Sequence, residues 1–304
     1  MVVLRALAAA GHDVVMVVSR PDKRRGRNEA PQPSPVKAAA SQLGLRVTDR
    51  PEDVIGAGAD LGVVVAFGRI IKADVLAALD LVNVHFSLLP RWRGAAPVER
   101  AILAGDTVTG VCLMAIDDGL DTGPVYRCEE VPIGGRETAA ALSERLAQVG
   151  ADLLVKSLGE GLPTPAPQEG DATYAAKIEA GDRMLRWERP AAELERVVRV
   201  GRAWTTWRSR RLLVLDAEPV VLDAEPVPPP SAGAGASPPP SAGAGASPPP
   251  SAGAPPPGTV AGEVVVTGDG GLRLLTVQPE GRRPVTGTEW IRGARPAIGE
   301  VLGG

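Results

Sequence analysis

The sequence predicts an α/β protein, with a doubly wound and mostly parallel sheet in its first part and a small β domain after it. Three observations carry this expectation. Apolar runs of strand length alternate with helical patterns along residues 1–160, the order that builds a parallel sheet with crossover helices. The strand runs are almost unbroken Val, Leu and Ile, as expected where helices cover both faces of a sheet. Past residues 161–181, a stretch rich in Pro, Gly and polar residues that reads as a linker, short β-type runs take over in 182–304.

In chain order, residues 3–10 read as a helix leading through Gly11 to a strand at 14–18. A helix at 34–43, a strand at 61–66, a helix at 73–79 and a strand at 81–85 follow. Then come a helix at 96–104, a strand at 110–116 and a long amphipathic helix at 138–158. The second part holds a helix at 191–200 and β-type runs at 212–215, 262–267 and 272–278. Doubly wound domains ordinarily begin with a strand, so one strand and its turn are missing ahead of the first helix.

Composition narrows the function classes. The 304 residues carry 33 Lys and Arg against 36 Asp and Glu, a net charge of -3, so a strongly basic nucleic-acid coat is excluded and any polyanion must meet a local patch. Hydrophobic residues at 44% and charged residues at 23% exclude disorder throughout. Arg5, His12 and Asp13 interrupt the apolar opening, which makes neither a membrane span nor a signal peptide and points to the cytoplasm. Two cysteines and two histidines build neither a disulfide framework nor a Cys/His zinc site, and no metal is expected. Cys112 and Cys128 fall on predicted strands and read as core thiols.

Residues 226–258 contain no charged side chain. Ser-Ala-Gly-Ala-Gly-Ala-Ser-Pro-Pro-Pro runs over 231–240 and again over 241–250, and a shortened copy ends at 257. So little apolar surface cannot offset ordering entropy, so the repeat reads as a disordered tether inserted in one loop of the β domain. Leu-Asp-Ala-Glu-Pro-Val, at 215–220 and again at 222–227, reads as expansion of a surface loop.

Asn83 and His85 close a hydrophobic strand, and the two-residue period puts both side chains on one face near its carboxyl end. That end faces the ligand crevice of open α/β sheets. Residues 87–97 (Ser-Leu-Leu-Pro-Arg-Trp-Arg-Gly-Ala-Ala-Pro) and 117–124 (Asp-Asp-Gly-Leu-Asp-Thr-Gly-Pro) then form loops that converge on this crevice. His, Asn and Asp without a nearby nucleophile suit acyl transfer between bound substrates. Ser87 lacks a Gly-x-Ser-x-Gly elbow, which argues against a Ser/His/Asp triad. His12, in the Gly11-His12-Asp13 turn, reads as structural.

The run Asn83-Val84-His85-Phe86-Ser87-Leu88-Leu89-Pro90-Arg91-Trp92-Arg93-Gly94-Ala95-Ala96-Pro97, followed by Gly119-Leu120-Asp121-Thr122-Gly123, resembles the methionyl-tRNA formyltransferase family. Arg20-Pro21-Asp22, Gly26-Arg27, residues 33–37 (Pro-Ser-Pro-Val-Lys), residues 63–68 and the Trp204 and Trp207 region extend the resemblance over nearly all the chain outside the repeat. It implies a formyltransferase-type, Rossmann-like catalytic domain over 1–160 and an OB-like β-barrel, tRNA-binding domain over 182–304. The implied reaction moves the formyl group of 10-formyltetrahydrofolate, as co-substrate, to the α-amine of methionyl initiator tRNA. Asn83, His85 and Asp121 fall on catalytic positions, and Ser87, Leu88, Leu89 and Pro90 on the folate-binding turn. The protein is expected to act as a monomer, away from membranes.

Elementary chemistry suits these residue types. Attack on a formyl carbon creates an oxyanion, which an Asn amide and an imidazole N–H stabilise where the charge develops. A carboxylate at 121 orients the imidazole and helps remove the ammonium proton. Residues 20–27 hold five basic residues and one acid, Asp22. Arg24, Arg25 and Arg27 in this loop are expected to meet the acceptor end of the tRNA. Arg199, Arg202, Arg208, Arg210 and Arg211, interleaved with Trp204 and Trp207, form a second basic group suited to tRNA backbone.

Three departures from the family accompany the match. Its opening strand and Gly-Thr-Pro-type turn have no counterpart before Val3, which suggests a start downstream of the family's. A Pro usual near the first Trp is absent at 203–207. Phe86 replaces a small residue, which would narrow the pocket. The competing readings are a formyltransferase acting on an amino sugar nucleotide or glycinamide ribonucleotide, a formyltetrahydrofolate hydrolase, and an inactive RNA-binding module.

Overall fold

A computed structural model describes residues 1–24, 30–222 and 255–303, and the chain divides into two compact units. The first contains residues 1–182 and 199–201, and the second 183–198 and 202–304.

The first unit holds α1 (Val2–Ala9), β1 (Val17–Val18), α2 (Pro35–Gln42), β2 (Val47–Thr48), β3 (Gly62–Val64), α3 (Ala73–Ala78), β4 (Leu81–His85), β5 (Arg93–Gly94), α4 (Pro97–Ala104), β6 (Val108–Ala115), β7 (Val125–Pro132), α5 (Ala139–Glu160) and β8 (Tyr174–Ala175). Its main sheet has the order β3-β4-β6-β7. β3 runs parallel to β4, whereas β6 lies antiparallel to both β4 and β7. The α/β class stands, with a mixed sheet. β1 and β2 form a separate parallel pair.

The sheet is built around α5, whose buried Leu142, Leu146 and Leu154 recur at helical spacing. They pack in one core with Val82, Val84, Val111 and Leu113 and with Val3 and Leu7 of α1. A Cβ at Gly150 would sit 2.7 Å from Val84, so the missing side chain lets the helix lie against the strand that carries Asn83 and His85. Phe86 packs into this same core, on the α5 side. The expected narrowing of the pocket by its ring therefore fails, because strand alternation continues past His85 and turns residue 86 away from the face of residues 83 and 85.

α2 starts as its sequence dictates. Ser34 caps it by accepting from Lys37 N–H at 3.0 Å, and Pro35 occupies the first turn. Ser34 Oγ also lies 2.6 Å from Ser19 Oγ, and Lys37 pairs with Asp22 at 2.8 Å. The Arg-Pro-Asp and Pro-Ser-Pro-Val-Lys motifs thus secure the base of the basic loop.

The expectation of two core thiols fails. Cys112 is fully buried, but Cys128 is exposed on β7, and the two are joined as a disulfide. They are direct cross-strand partners, and β7 is the last strand in the sheet order.

The second unit contains most of α6 (Ala191–Val200), with β9 (Ala203–Trp207), β10 (Arg210–Val220), β11 (Val260–Ala261), β12 (Val264–Val266), β13 (Gly271–Pro279), β14 (Val285–Thr286) and α7 (Gly287–Ala294). Its strands pair antiparallel in the order β11-β12-β13-β10-β9, with β14 on β13. Thr286 and Glu289 form a capping box that starts α7. The first Leu-Asp-Ala-Glu-Pro-Val copy lies in β10, with Ala217 buried against β13. It is paired strand there, not loop. The repeat belongs to the connection between β10 and β11, and residues 223–254 lie outside the described residues.

Candidate active site

Two chain segments bring the predicted catalytic residues together. β4 ends at His85, so Asn83 and His85 project on one face, and Asp121 follows β6 in a loop where it adopts a φ of 51°. That left-handed conformation suits a short polar side chain that hydrogen-bonds locally.

The Asp121 carboxylate is the hub. One oxygen accepts from Asn83 Nδ2 at 3.4 Å, and the other accepts from Gly94 N–H at 2.8 Å and lies 3.7 Å from His85 Nδ1. Side-chain exposure is 6% for His85 and 18% for Asp121, so the pair is largely withdrawn from water and its interaction is only weakly screened. His85 Nε2 lies 2.9 Å from the Trp92 carbonyl. A carbonyl only accepts, so Nε2 carries the proton, and in the neutral ring Nδ1 offers its lone pair on the Asp121 side. The imidazole N–H expected for an oxyanion is therefore spent on Trp92 at Nε2. Nδ1 becomes a donor only once it is protonated.

Ser87 is fully buried and donates to the Arg91 carbonyl at 2.6 Å. Its hydroxyl closes the turn, and no Ser–His contact of a hydrolytic triad forms. Leu88, Leu89 and Pro90 are half-buried, the Leu89–Pro90 bond is cis, and Leu88 lies over Gly110, where a Cβ would collide with it. Beyond the turn, Arg91 and the Trp92 indole both bond Asp106, at 2.6 and 2.8 Å. These bonds fix the backbone whose carbonyl holds His85.

A second support was not legible in the sequence. Gln168 Nε2 donates to the carbonyls of Asp121 and Gly123 at 2.9 and 2.8 Å, while its oxygen accepts from Arg93 at 2.7 Å. Thr173 Oγ1 accepts from Trp92 N–H at 2.9 Å, and β8 adds to β5 as a parallel strand. The polar stretch 161–181 thus locks the two site loops to each other. A Cβ at Gly94 would lie 3.0 Å from the Ala175 carbonyl, and its φ is 111°, so this close approach requires glycine.

Of the basic loop, Arg24 is exposed, whereas Arg25 and Arg27 lie outside the described residues. In the second unit Arg208 and Arg211 stand over the Trp207 and Trp204 rings, each at 4.3 Å, and Arg208 also pairs with Glu300 at 2.8 Å. Both indoles are half-buried, core on one side and arginine platform on the other.

The formyl transferase family matches residues 2–158, and the formyl transferase C-terminal domain matches 177–295. Methionyl-tRNA formyltransferase of Jannaschia sp. (strain CCS1) is 38% identical, covering 99% of this chain and 95% of its own. That of Symbiobacterium thermophilum is 40% identical, covering 97% and 90%. Among solved structures, HypX from Aquifex aeolicus in complex with tetrahydrofolic acid superposes with a TM-score of 0.56 at 16% identity, covering 86% of this chain and 44% of that one. An N-formyltransferase from Helicobacter canadensis, in complex with folinic acid and dTDP-3-aminofucose, gives 0.55 at 16%, covering 72% and 83%. At such identities the superpositions speak for the fold. The Asn83–His85–Asp121 cluster therefore sits in a chain that belongs to the methionyl-tRNA formyltransferase family.

Proposed function

We propose that this protein transfers the formyl group of 10-formyltetrahydrofolate to the α-amine of methionyl initiator tRNA by direct amine attack. The observation that carries the mechanism is Asp121, whose carboxylate faces Asn83 Nδ2 and His85 Nδ1 at once. The incoming α-amine, with a reference pKa of about 7.7 to 8.0, is partly neutral near pH 7. Its nitrogen bonds to the formyl carbon and the carbonyl becomes an oxyanion, which the remaining Asn83 N–H stabilises. The nitrogen's proton passes to the Asp121–His85 pair, and a proton on Nδ1 turns His85 into a second donor. The bond from carbon to the folate nitrogen then breaks, and that nitrogen takes up the proton. The residues perform the whole sequence without a covalent enzyme intermediate.

On this reading residues 1–160 form the catalytic domain, with 161–181 clasping its site loops and Ser87 to Pro90 shaping the folate side. Residues 182–304 form an OB-like unit that tracks tRNA backbone, and Arg24, Arg25 and Arg27 reach its acceptor end. The protein works in the cytoplasm as a monomer, and no described helix is long and apolar enough to cross a membrane.

The test is formyl transfer from 10-formyltetrahydrofolate to charged initiator tRNA, with elongator methionyl-tRNA, dTDP-amino sugars and buffer alone as acceptors. Preferential transfer to the initiator is expected. Faster transfer to the sugar, or formate release at the same rate without acceptor, overturns the assignment.

A further inference from the structure

His85, Cys112 and Cys128 are successive cross-strand partners on β4, β6 and β7. Directly opposed residues of antiparallel strands share one face of the sheet. The three side chains therefore form a row that starts at the candidate catalytic imidazole and ends on an exposed strand. The row is graded in access: His85 is 5% exposed and Cys112 0%, whereas Cys128 is exposed.

We propose that Cys128 is a thiol–disulfide exchange site for low-molecular-weight disulfides, and that Cys112 carries its redox state to the position beside His85. Oxidation proceeds in two balanced steps. The Cys128 thiolate attacks one sulfur of RS–SR, forming a mixed disulfide and releasing RS⁻. The Cys112 thiolate then attacks the Cys128 sulfur, closing the intramolecular bond and releasing the second RS⁻. The two cysteines lose two protons and two electrons, and the small disulfide is reduced to two thiols. Exposure fixes this order, since only Cys128 can be reached from solvent.

The consequence for His85 follows from the strand order β4-β6-β7. The bond to Cys128 draws Cys112 Sγ toward β7 and away from β4. After reduction, the Cys112 side chain regains the rotamers that lean toward His85. Cys112 is in this sense a positioning residue, and its effect on turnover rests on the function proposed above.

The experiment compares the full chain after incubation with dithiothreitol and after incubation with oxidised glutathione. The protein has two histidines, His12 and His85, so the imidazole NMR signals give a probe and an internal control. The expected result is a 2 Da mass difference, a moved His85 resonance, an unmoved His12 resonance, and a kcat that differs at least about twofold between the forms at constant KM. Cys128→Ser should behave as the reduced form under both conditions. Identical His85 signals in the two wild-type forms, no Cys112–Cys128 bond with oxidised glutathione, or a Cys128→Ser variant that still responds would overturn the proposal. The mass and NMR readouts need no turnover. Inactivity in both forms with a moved His85 signal would therefore count against the assigned reaction and leave the exchange site standing.

Discussion

Asp121 in the first unit and Glu300 in the second are both carboxylates that anchor neighbouring groups, yet their surroundings differ. Asp121 lies in a loop held by Gly94, Gln168 and a left-handed backbone, and its partner His85 has a side chain only 6% exposed. Glu300, as withdrawn as Asp121 at 18%, accepts from Arg208, whose guanidinium is half in solvent while stacked on Trp207. Groups fixed by backbone bonds in a withdrawn site can stabilise charge where it develops, because little reorganisation remains to be done. The exposed Arg211 guanidinium on Trp204, unlike the Glu300-bound Arg208, keeps its charge available for a polyanion, and such a contact is individually weak. Substitutions in the first setting should therefore alter chemistry strongly, and those in the second should alter binding mildly.

The largest effect is expected at the hub. Asn83→Ala and Asp121→Asn should each lower kcat by at least ~10²-fold with tRNA affinity nearly unchanged, because the lost interactions belong to the transition state. Parallel losses in binding would erase the contrast between the two units. Gln168→Ala should come next. It removes bonds to two carbonyls and leaves Arg93 without its partner, so kcat should fall about tenfold, less than the roughly 10²-fold that a full 1 Å misplacement can cost. Steady-state kinetics with the Gln168→Glu variant as a partial rescue would sharpen the point, since Glu retains the acceptor for Arg93 but not the donor.

The legibility of this site in the sequence follows the same division. Asn83, His85 and Asp121 could be found because strand period and loop position at a sheet's carboxyl end place them from residue order alone. Gln168 and Thr173 could not, because a polar residue in a Pro- and Gly-rich stretch looks the same whether it faces water or a carbonyl. The tautomer of His85 depends on the Trp92 carbonyl, a backbone group that no side-chain pattern reveals. A strand at Cys128 was legible, but its place at the edge of the sheet, where Glu129 and Glu130 stay exposed, was not. That hid the pairing of Cys128 with Cys112. In the second unit, the alternation of Trp and Arg was visible, but the stacking of Arg211 on Trp204 required the antiparallel register of β9 and β10.

Arg210 and Arg211 line an open cavity of about 570 Å³ in the second unit, together with Arg282, Arg283, Trp207 and Trp290. Arg210→Ala should weaken binding of charged tRNA about threefold to tenfold and lower the salt slope by about 1, with kcat at saturation unchanged. Filter binding across a salt series measures both. An unchanged slope would remove this surface from the tRNA interface and leave the basic loop near Arg24 as the remaining candidate.

The smallest effect is a pH dependence at Glu300. Hydrogen bonds from Arg208, and next from the Ala297 N–H, hold the Glu300 carboxyl at about 2, below its ordinary 4.5. A depressed value means that the folded state favours the ionised form, so this stabilisation is complete above about 4.5 and is lost as pH falls through about 2. Glu300→Gln should therefore lower Tm slightly at neutral pH, and the difference from wild type should close as the solution is acidified through that window. Solvent screening at the half-exposed Arg208 keeps the effect small. A Tm difference that stays constant from neutral to acid pH would mean that Glu300 acts through packing, with its charge irrelevant to the fold.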